Sequence, residues 1–220
     1  MHPDAIVFDL DGTLIDSAAD LTLTLNLLLA EHKRRQLSVE SVRRMIGDGV
    51  GALVRRGFAA TGAQVDPADH PGLTRRFLAF YTDPNREHLA RVYPGVPQTL
   101  AGFARRGIRL GVCTNKAQVA TDQVLHEAGL TPFFEAVIGQ DTAPAPKPDP
   151  AHVRAVCAAL GQPARAVMIG DSANDLRAGR AAGLGVILVT YGYGTPEALA
   201  DADATVDRFD QLSEAIARLP

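Results

Sequence analysis

The sequence predicts an α/β protein built on a doubly wound, mostly parallel sheet, with a helical segment inserted after the first strand. Three observations predict it. Short apolar runs of strand length alternate with segments of helical length through most of the chain. Each of four helical segments is followed at once by a glycine, the residue that most easily takes the left-handed turn ending a helix. One long stretch, Ser17 to Asp83, lacks a convincing strand run and breaks the alternation.

Taken in order, Ala5 to Phe8 (AIVF) is an apolar run closed by Asp9 and a Gly-containing turn, as a buried strand ending in a loop would be. Further runs lie at Ile108 to Cys113, Ala136 to Ile138, Ala166 to Ile169, Gly185 to Thr190 and, more weakly, Ala204 to Val206. Helices are expected at Val96 to Arg106, Ala117 to Ala128, Ala151 to Leu160 and Asp175 to Ala182, ending at Gly107, Gly129, Gly161 and Gly183. Right-handed crossovers between such elements give a parallel sheet covered on both faces, a Rossmann-like core. Within the insertion, Leu21, Leu23, Leu25 and Leu27 alternate with period two, which alone favours a strand. Asp16 or Ser17 as a cap, and the helix formers around Ala18, Ala19 and Leu27 to Ala30, favour a helix instead. The expected division is therefore a core of residues 1–16 and 84–220 and a helical domain of residues 17–83.

Composition narrows the partners. Lys and Arg total 22 against 25 Asp and Glu, a net charge of −3, which argues against nucleic acid as a surface-bound partner. The insertion carries nine basic and seven acidic residues, so the acidic surplus belongs to the core. The two cysteines, Cys113 and Cys157, are too few for a disulfide scaffold and are read as free buried thiols. No membrane partner is expected: the most apolar window, Leu21 to Ala30, is about half a membrane span. The first residues lack the pattern of a secretory signal, so a cytoplasmic protein is expected, monomer or homodimer. The six histidines (His2, His32, His70, His88, His126, His152) show no metal-ligand spacing.

Ligands of open α/β sheets bind beyond the carboxyl ends of the strands. There this chain places Asp9 and Asp11, then Thr114-Asn115-Lys116, then Asp171 with Asp175 four residues on, while Lys147 projects from a Pro-rich loop. Crowded carboxylates without His or Cys call for a hard cation, and Mg²⁺ suits such a set when a phosphate oxygen completes it. Lys147 and the Thr114 hydroxyl suit the other side of a phosphoryl group. An Asp so placed attacks phosphorus, and a second carboxyl two residues along, around the Gly12 turn, serves as general acid and base.

These residues resemble a known family. Val7-Phe-Asp-Leu-Asp-Gly-Thr-Leu14, Cys113-Thr-Asn115, Lys147-Pro-Asp-Pro150 and Ile169-Gly-Asp-Ser-Ala-Asn-Asp175 are similar, in order, to the four motifs of the haloacid dehalogenase-like hydrolases. The resemblance implies Asp9 as nucleophile, Asp11 as general acid/base, and Thr114 and Lys147 as phosphoryl ligands assisted by the backbone of Asn115. It implies Mg²⁺ held by the Asp9 side chain, the Asp11 carbonyl and Asp171, with Asp175 acting nearby or through water, and it makes the insertion a mobile cap. Asp16-Ser17, Ile46-Gly-Asp-Gly49, Val92-Tyr-Pro-Gly95 and Thr190-Tyr-Gly-Tyr-Gly194 resemble the phosphoglycolate phosphatase branch, and on that resemblance Gly47 and Gly49 are expected to face substrate. The function expected is a Mg²⁺-dependent phosphatase of a small anionic phosphate ester, 2-phosphoglycolate first. A phosphatase of a sugar phosphate or a phosphosugar mutase is the alternative; a dehalogenase, a phosphonate hydrolase and a non-enzymatic scaffold are disfavoured.

Overall fold

The computed structural model describes residues 3–86 and 88–219; His2 lies outside them. The chain forms two compact units, residues 1–16 with 91–220 and residues 17–90.

The first unit is an α/β layer structure. Its sheet contains β1 (Ala5–Phe8), β4 (Arg109–Cys113), β5 (Ala136–Ile138), β6 (Ala166–Gly170), β7 (Gly185–Val189) and β8 (Ala204–Val206). They are arranged β5-β4-β1-β6-β7-β8, and every neighbouring pair is parallel. Between them run α5 (Val96–Arg105), α6 (Gln118–Glu127), α7 (Pro150–Ala159), α8 (Ala173–Ala181) and α9 (Pro196–Asp201), and α10 (Leu212–Arg218) follows the last strand. Gly107, Gly129, Gly161 and Gly183, following the expected helices, have φ of +72°, +67°, +76° and +87°, the left-handed cap geometry that side chains with a Cβ adopt at a cost. A two-stranded antiparallel pair, β2 (Ile15–Asp16) and β3 (Arg91–Val92), joins the two crossings of the chain out of and back into this unit.

Strand β1 is buried along its whole length. Its alternate side chains serve two cores, as the pleat requires. Phe8 stands 6.5, 6.2 and 5.9 Å from the rings of Phe103, Phe134 and Phe209 on one face. Ala5 and Val7 pack with Val153, Val156, Leu160, Met168 and Val186 on the other.

The second unit is helical: α1 (Ala18–Glu31), α2 (Val39–Arg43), α3 (Gly49–Thr61) and α4 (His70–Tyr81). In α1 the leucines separate by helical geometry rather than by period two. Leu21, Leu25, Leu28 and Leu29 are buried, whereas Leu23 and Leu27 are exposed. Ser17 stands at the N-cap of α1 without a side-chain capping bond. The unit runs on to Ala90, past the expected boundary at Asp83, because the segment after α4 is tied back onto α1. Arg86 donates to the side chain and the backbone oxygen of Asp20, and His88 Nδ1 lies 3.2 Å from Asp20 Oδ2. Among the described residues, no helix is long and apolar enough to cross a membrane.

Candidate active site

The strand order places β1 where the winding reverses. From β1 the chain first builds outward to β4 and β5, then crosses to β6 on the other side and continues to β7 and β8. At such a switch point the loops at the strand ends turn away from one another and leave a crevice. The residues leaving β1, β4 and β6 are Asp9, Thr114 and Asp171.

Asp9 continues β1, its backbone N–H donating to Ile169 O at 2.8 Å. The chain then turns tightly: Gly12, at φ +88°, donates to Ile15 O, and the N–H groups of Thr13, Leu14 and Ile15 converge on Leu10 O. Thr114 is fixed at the end of β4 by its N–H on Ile138 O, and its hydroxyl accepts from Lys116 N at 3.2 Å. The side chain of Asn115 has a structural duty. Its Nδ2 donates to Lys147 O and its Oδ1 accepts from Lys147 N, both at 2.9 Å, so the Pro-rich loop is clamped to the end of β4.

That clamp delivers Lys147 into the carboxylates. Its Nζ lies 2.9 Å from Asp9 Oδ1 and 2.6 Å from Asp175 Oδ1, and the lysine is only 3% exposed. The other oxygen of Asp175 accepts from Ser172 Oγ at 2.7 Å and from the N–H groups of Ser172 and Asp171 at 3.0 and 3.2 Å. Asp175 thus spans the lysine and the first turn of α8, a capping box completed from Ser172. Asp171 is wrapped by the loop after β7. Its Oδ2 accepts from Tyr193 N, and a Cβ on Gly12, Gly192 or Gly194 would lie 2.3, 2.4 or 1.8 Å from atoms of Asp171. Only glycine permits backbone that close.

Carboxylate oxygens of Asp9, Asp171 and Asp175 lie within 4.8 Å of one another. Burial first, and then the charge of Asp175, raises the Asp9 carboxyl to about 7. The same causes, with Asp9 added, hold Asp171 well above the carboxylate range. Lys147 is held above its ordinary value: burial opposes its charge, but Asp175 and Asp9 outweigh it. With Asp11 and Lys116 included, four carboxyl groups face two ammonium groups, which leaves the cluster short of positive charge. The donors are hard oxygens within 4.8 Å of one another, which fits a small divalent ion such as Mg²⁺.

Of the residues named from sequence, Asp9, Asp11, Thr114, Asn115, Lys147, Asp171 and Asp175 all belong to the first unit. Gly47 and Gly49 belong to the second, at the start of α3, with φ of +122° and +83°. There Arg56 donates to Met45 O at 2.8 Å and to the carboxylate of Asp48. Three side chains, Lys116, Tyr193 and Tyr191, stood in stretches named from sequence but were given no role there. Lys116 Nζ lies 3.2 Å from both carboxylate oxygens of Asp11. Tyr193 OH donates to Asp16 Oδ1 at 2.8 Å, and Tyr191 OH to Thr13 O at 2.9 Å, so the Thr190 to Gly194 stretch braces the first motif as well as Asp171. Cys113 and Cys157 are free, and burial pushes the Cys113 thiol up, away from nucleophilic use.

Comparison with known proteins agrees with this geometry. Residues 3–183 match the family of haloacid dehalogenase-like hydrolases. The chain is 44% identical over 218 residues to a phosphoglycolate phosphatase of Caulobacter vibrioides, covering 96% of this chain and 89% of the relative. Among solved structures, a predicted phosphoglycolate phosphatase from Haemophilus somnus superimposes with a TM-score of 0.88 at 31% identity, covering 98% of each chain. CbbY from Rhodobacter sphaeroides, solved in complex with phosphate, gives 0.82 at 26% identity, covering 96% of each. Motifs, sheet order and near full-length similarity converge, and the chain belongs to the haloacid dehalogenase-like hydrolases.

Proposed function

We propose that the chain is a Mg²⁺-dependent phosphomonoesterase acting through an aspartyl-phosphate on Asp9, with 2-phosphoglycolate the first substrate to test and the helical unit of residues 17–90 as its cap. The observation that carries the reading is the convergence of Asp9, Asp171 and Asp175 within 4.8 Å at the end of the central strand, with Lys147 bridging two of them. The names of the relatives support the choice of substrate.

Asp9 attacks phosphorus with one carboxylate oxygen while the bond to the ester oxygen breaks. Asp11, reached around the Gly12 turn, gives its proton to the departing alcohol. Asp11 then takes a proton from the water that cleaves the aspartyl-phosphate, which frees inorganic phosphate and restores Asp9. Lys147 fixes Asp9 Oδ1 and presents its ammonium to the phosphoryl oxygens, and the Thr114 hydroxyl is their neutral partner. Asp9, Asp171 and the Asp11 carbonyl would hold Mg²⁺, with Asp175 acting beside them; the ion supplies charge neutralisation for the phosphoryl group.

A phosphate-release screen across small esters with Mg²⁺ tests this. Turnover of 2-phosphoglycolate that EDTA abolishes is expected, and Asp9→Asn is expected to lose at least about 10³-fold, since an amide is a poor nucleophile. An Asp9→Asn protein with a near wild-type rate would falsify the aspartyl-phosphate mechanism.

A further inference from the structure

The lysine after Asn115 has no part in the mechanism above, yet it is one of the least exposed cations in the molecule. Lys116 is 8% exposed, and its ammonium lies 3.2 Å from both oxygens of the Asp11 carboxyl. A lysine is seldom buried without a defined anionic partner. Its position is fixed by rigid elements: it leaves β4 two residues after the phosphoryl-ligand position, its N–H is held by the Thr114 hydroxyl, and its carbonyl accepts from Gln140 N at 2.9 Å.

We propose that Lys116 is the residue by which the core selects its substrate, binding a carboxylate carried on the leaving alcohol close to the ester oxygen. The proposal rests on the phosphatase reading and refines its substrate class. Asp11 must come within hydrogen-bond reach of the ester oxygen to protonate it, about 2.6–3.2 Å. Lys116 Nζ is 3.2 Å from that same carboxyl group. Where one Asp11 oxygen makes both contacts, ester oxygen and ammonium are at most about 6 Å apart. In a 2-phospho acid the carboxylate oxygens are three bonds from the ester oxygen, about 3 Å away. The remaining distance is about that of an ammonium–carboxylate hydrogen bond. Lys147, the other buried lysine, is taken up by Asp9 and Asp175 and points to phosphorus instead. Selection for an acidic leaving group then resides in the loop after β4, in the catalytic unit itself.

The contrasting function for Lys116 is to hold Asp11 in place. A substrate pair separates the two. 2-Phosphoglycolate and ethyl phosphate have the same two-carbon leaving group, with and without a carboxylate. Wild type is expected to prefer 2-phosphoglycolate. In Lys116→Gln the ratio of kcat/KM for the two esters should fall about tenfold or more, chiefly through KM for 2-phosphoglycolate, as loss of one charged hydrogen bond predicts. Lys116→Arg keeps the charge and should restore part of the ratio; it also serves if the glutamine variant does not fold. Equal losses on both esters, or a preference unchanged in both variants, overturn the assignment. Wild type that hydrolyses both equally also overturns it but leaves the phosphatase reading intact, whereas wild type that releases phosphate from neither removes both.

Discussion

His152 shows how one residue's surroundings fix its charge. It is fully buried in α7, its Nε2 is 3.0 Å from Ile138 O, and among the described residues its Nδ1 has no hydrogen-bond partner. A proton on Nδ1 would therefore be a buried, unanswered donor. Burial, with Lys147 adding to it, lowers the imidazole from 6.5 to about 4. The folded protein keeps His152 neutral while the unfolded chain protonates below about pH 6.5. Its contribution to stability is thus complete above that pH, declines as the pH falls towards 4, and levels off below. Between pH 7 and pH 5 the loss should be about 2 kcal/mol. Urea unfolding of wild type and His152→Asn at the two pH values checks it: the variant's stability should fall by about that much less. Identical pH dependence in the two proteins would mean that the ring is hydrated.

At the scale of elements, the return from the helical unit hangs on a buried ion pair. The Asp20 carboxylate is fully buried in α1, and the side chains of Arg86 and His88 that approach it are only 9% and 11% exposed. Asp20→Ala leaves Arg86 charged and nearly buried without its carboxylate, which should cost about 3–5 kcal/mol of stability. Chemical denaturation measures it, and a loss under about 1 kcal/mol, the range of exposed pairs, would contradict the burial. No pattern in the sequence announced this pair, because the partners are 66 residues apart and salt bridges carry no period. The sheet was legible because parallel strands buried on both faces read as unbroken apolar runs and because Gly107, Gly129, Gly161 and Gly183 mark the helix ends. The pair β2 and β3 was not, since two residues are too few to show a period. The acids Asp9, Asp11 and Asp171 were legible for a simple reason: each follows an apolar run within three residues, so topology alone sets its place. Lys116 was named at its strand end but given no role, because nothing in its neighbours tells whether a lysine after a strand turns outward or back onto Asp11.

For the whole molecule, the strand order concentrates like charge at one end of the sheet, a repulsion that costs the fold stability and that a bound cation would relieve. A ligand that binds only the folded state stabilises it by mass action, by about 2.7 kcal/mol at a hundred times its dissociation constant. Mg²⁺ at that excess should raise the melting midpoint of the substrate-free protein by about 5–10 °C. The chain has no Trp, so circular dichroism is the suitable probe. Asp171→Asn should abolish the rise, and an equal rise in both proteins would place the ion elsewhere. The same strand order has a consequence for biosynthesis. Ala5 pairs with Arg109 on one side and Ala166 on the other, so the strand that leads to Asp9 is synthesised before both of its neighbours and waits for them. At about 5–20 residues per second, the second neighbour follows after about 8–32 s. Through that interval AIVF is an unpaired apolar segment on a nascent chain, open to chaperones and to other chains, and the carboxylate cluster of Asp9, Asp171 and Asp175 comes together only after the second neighbour has been made.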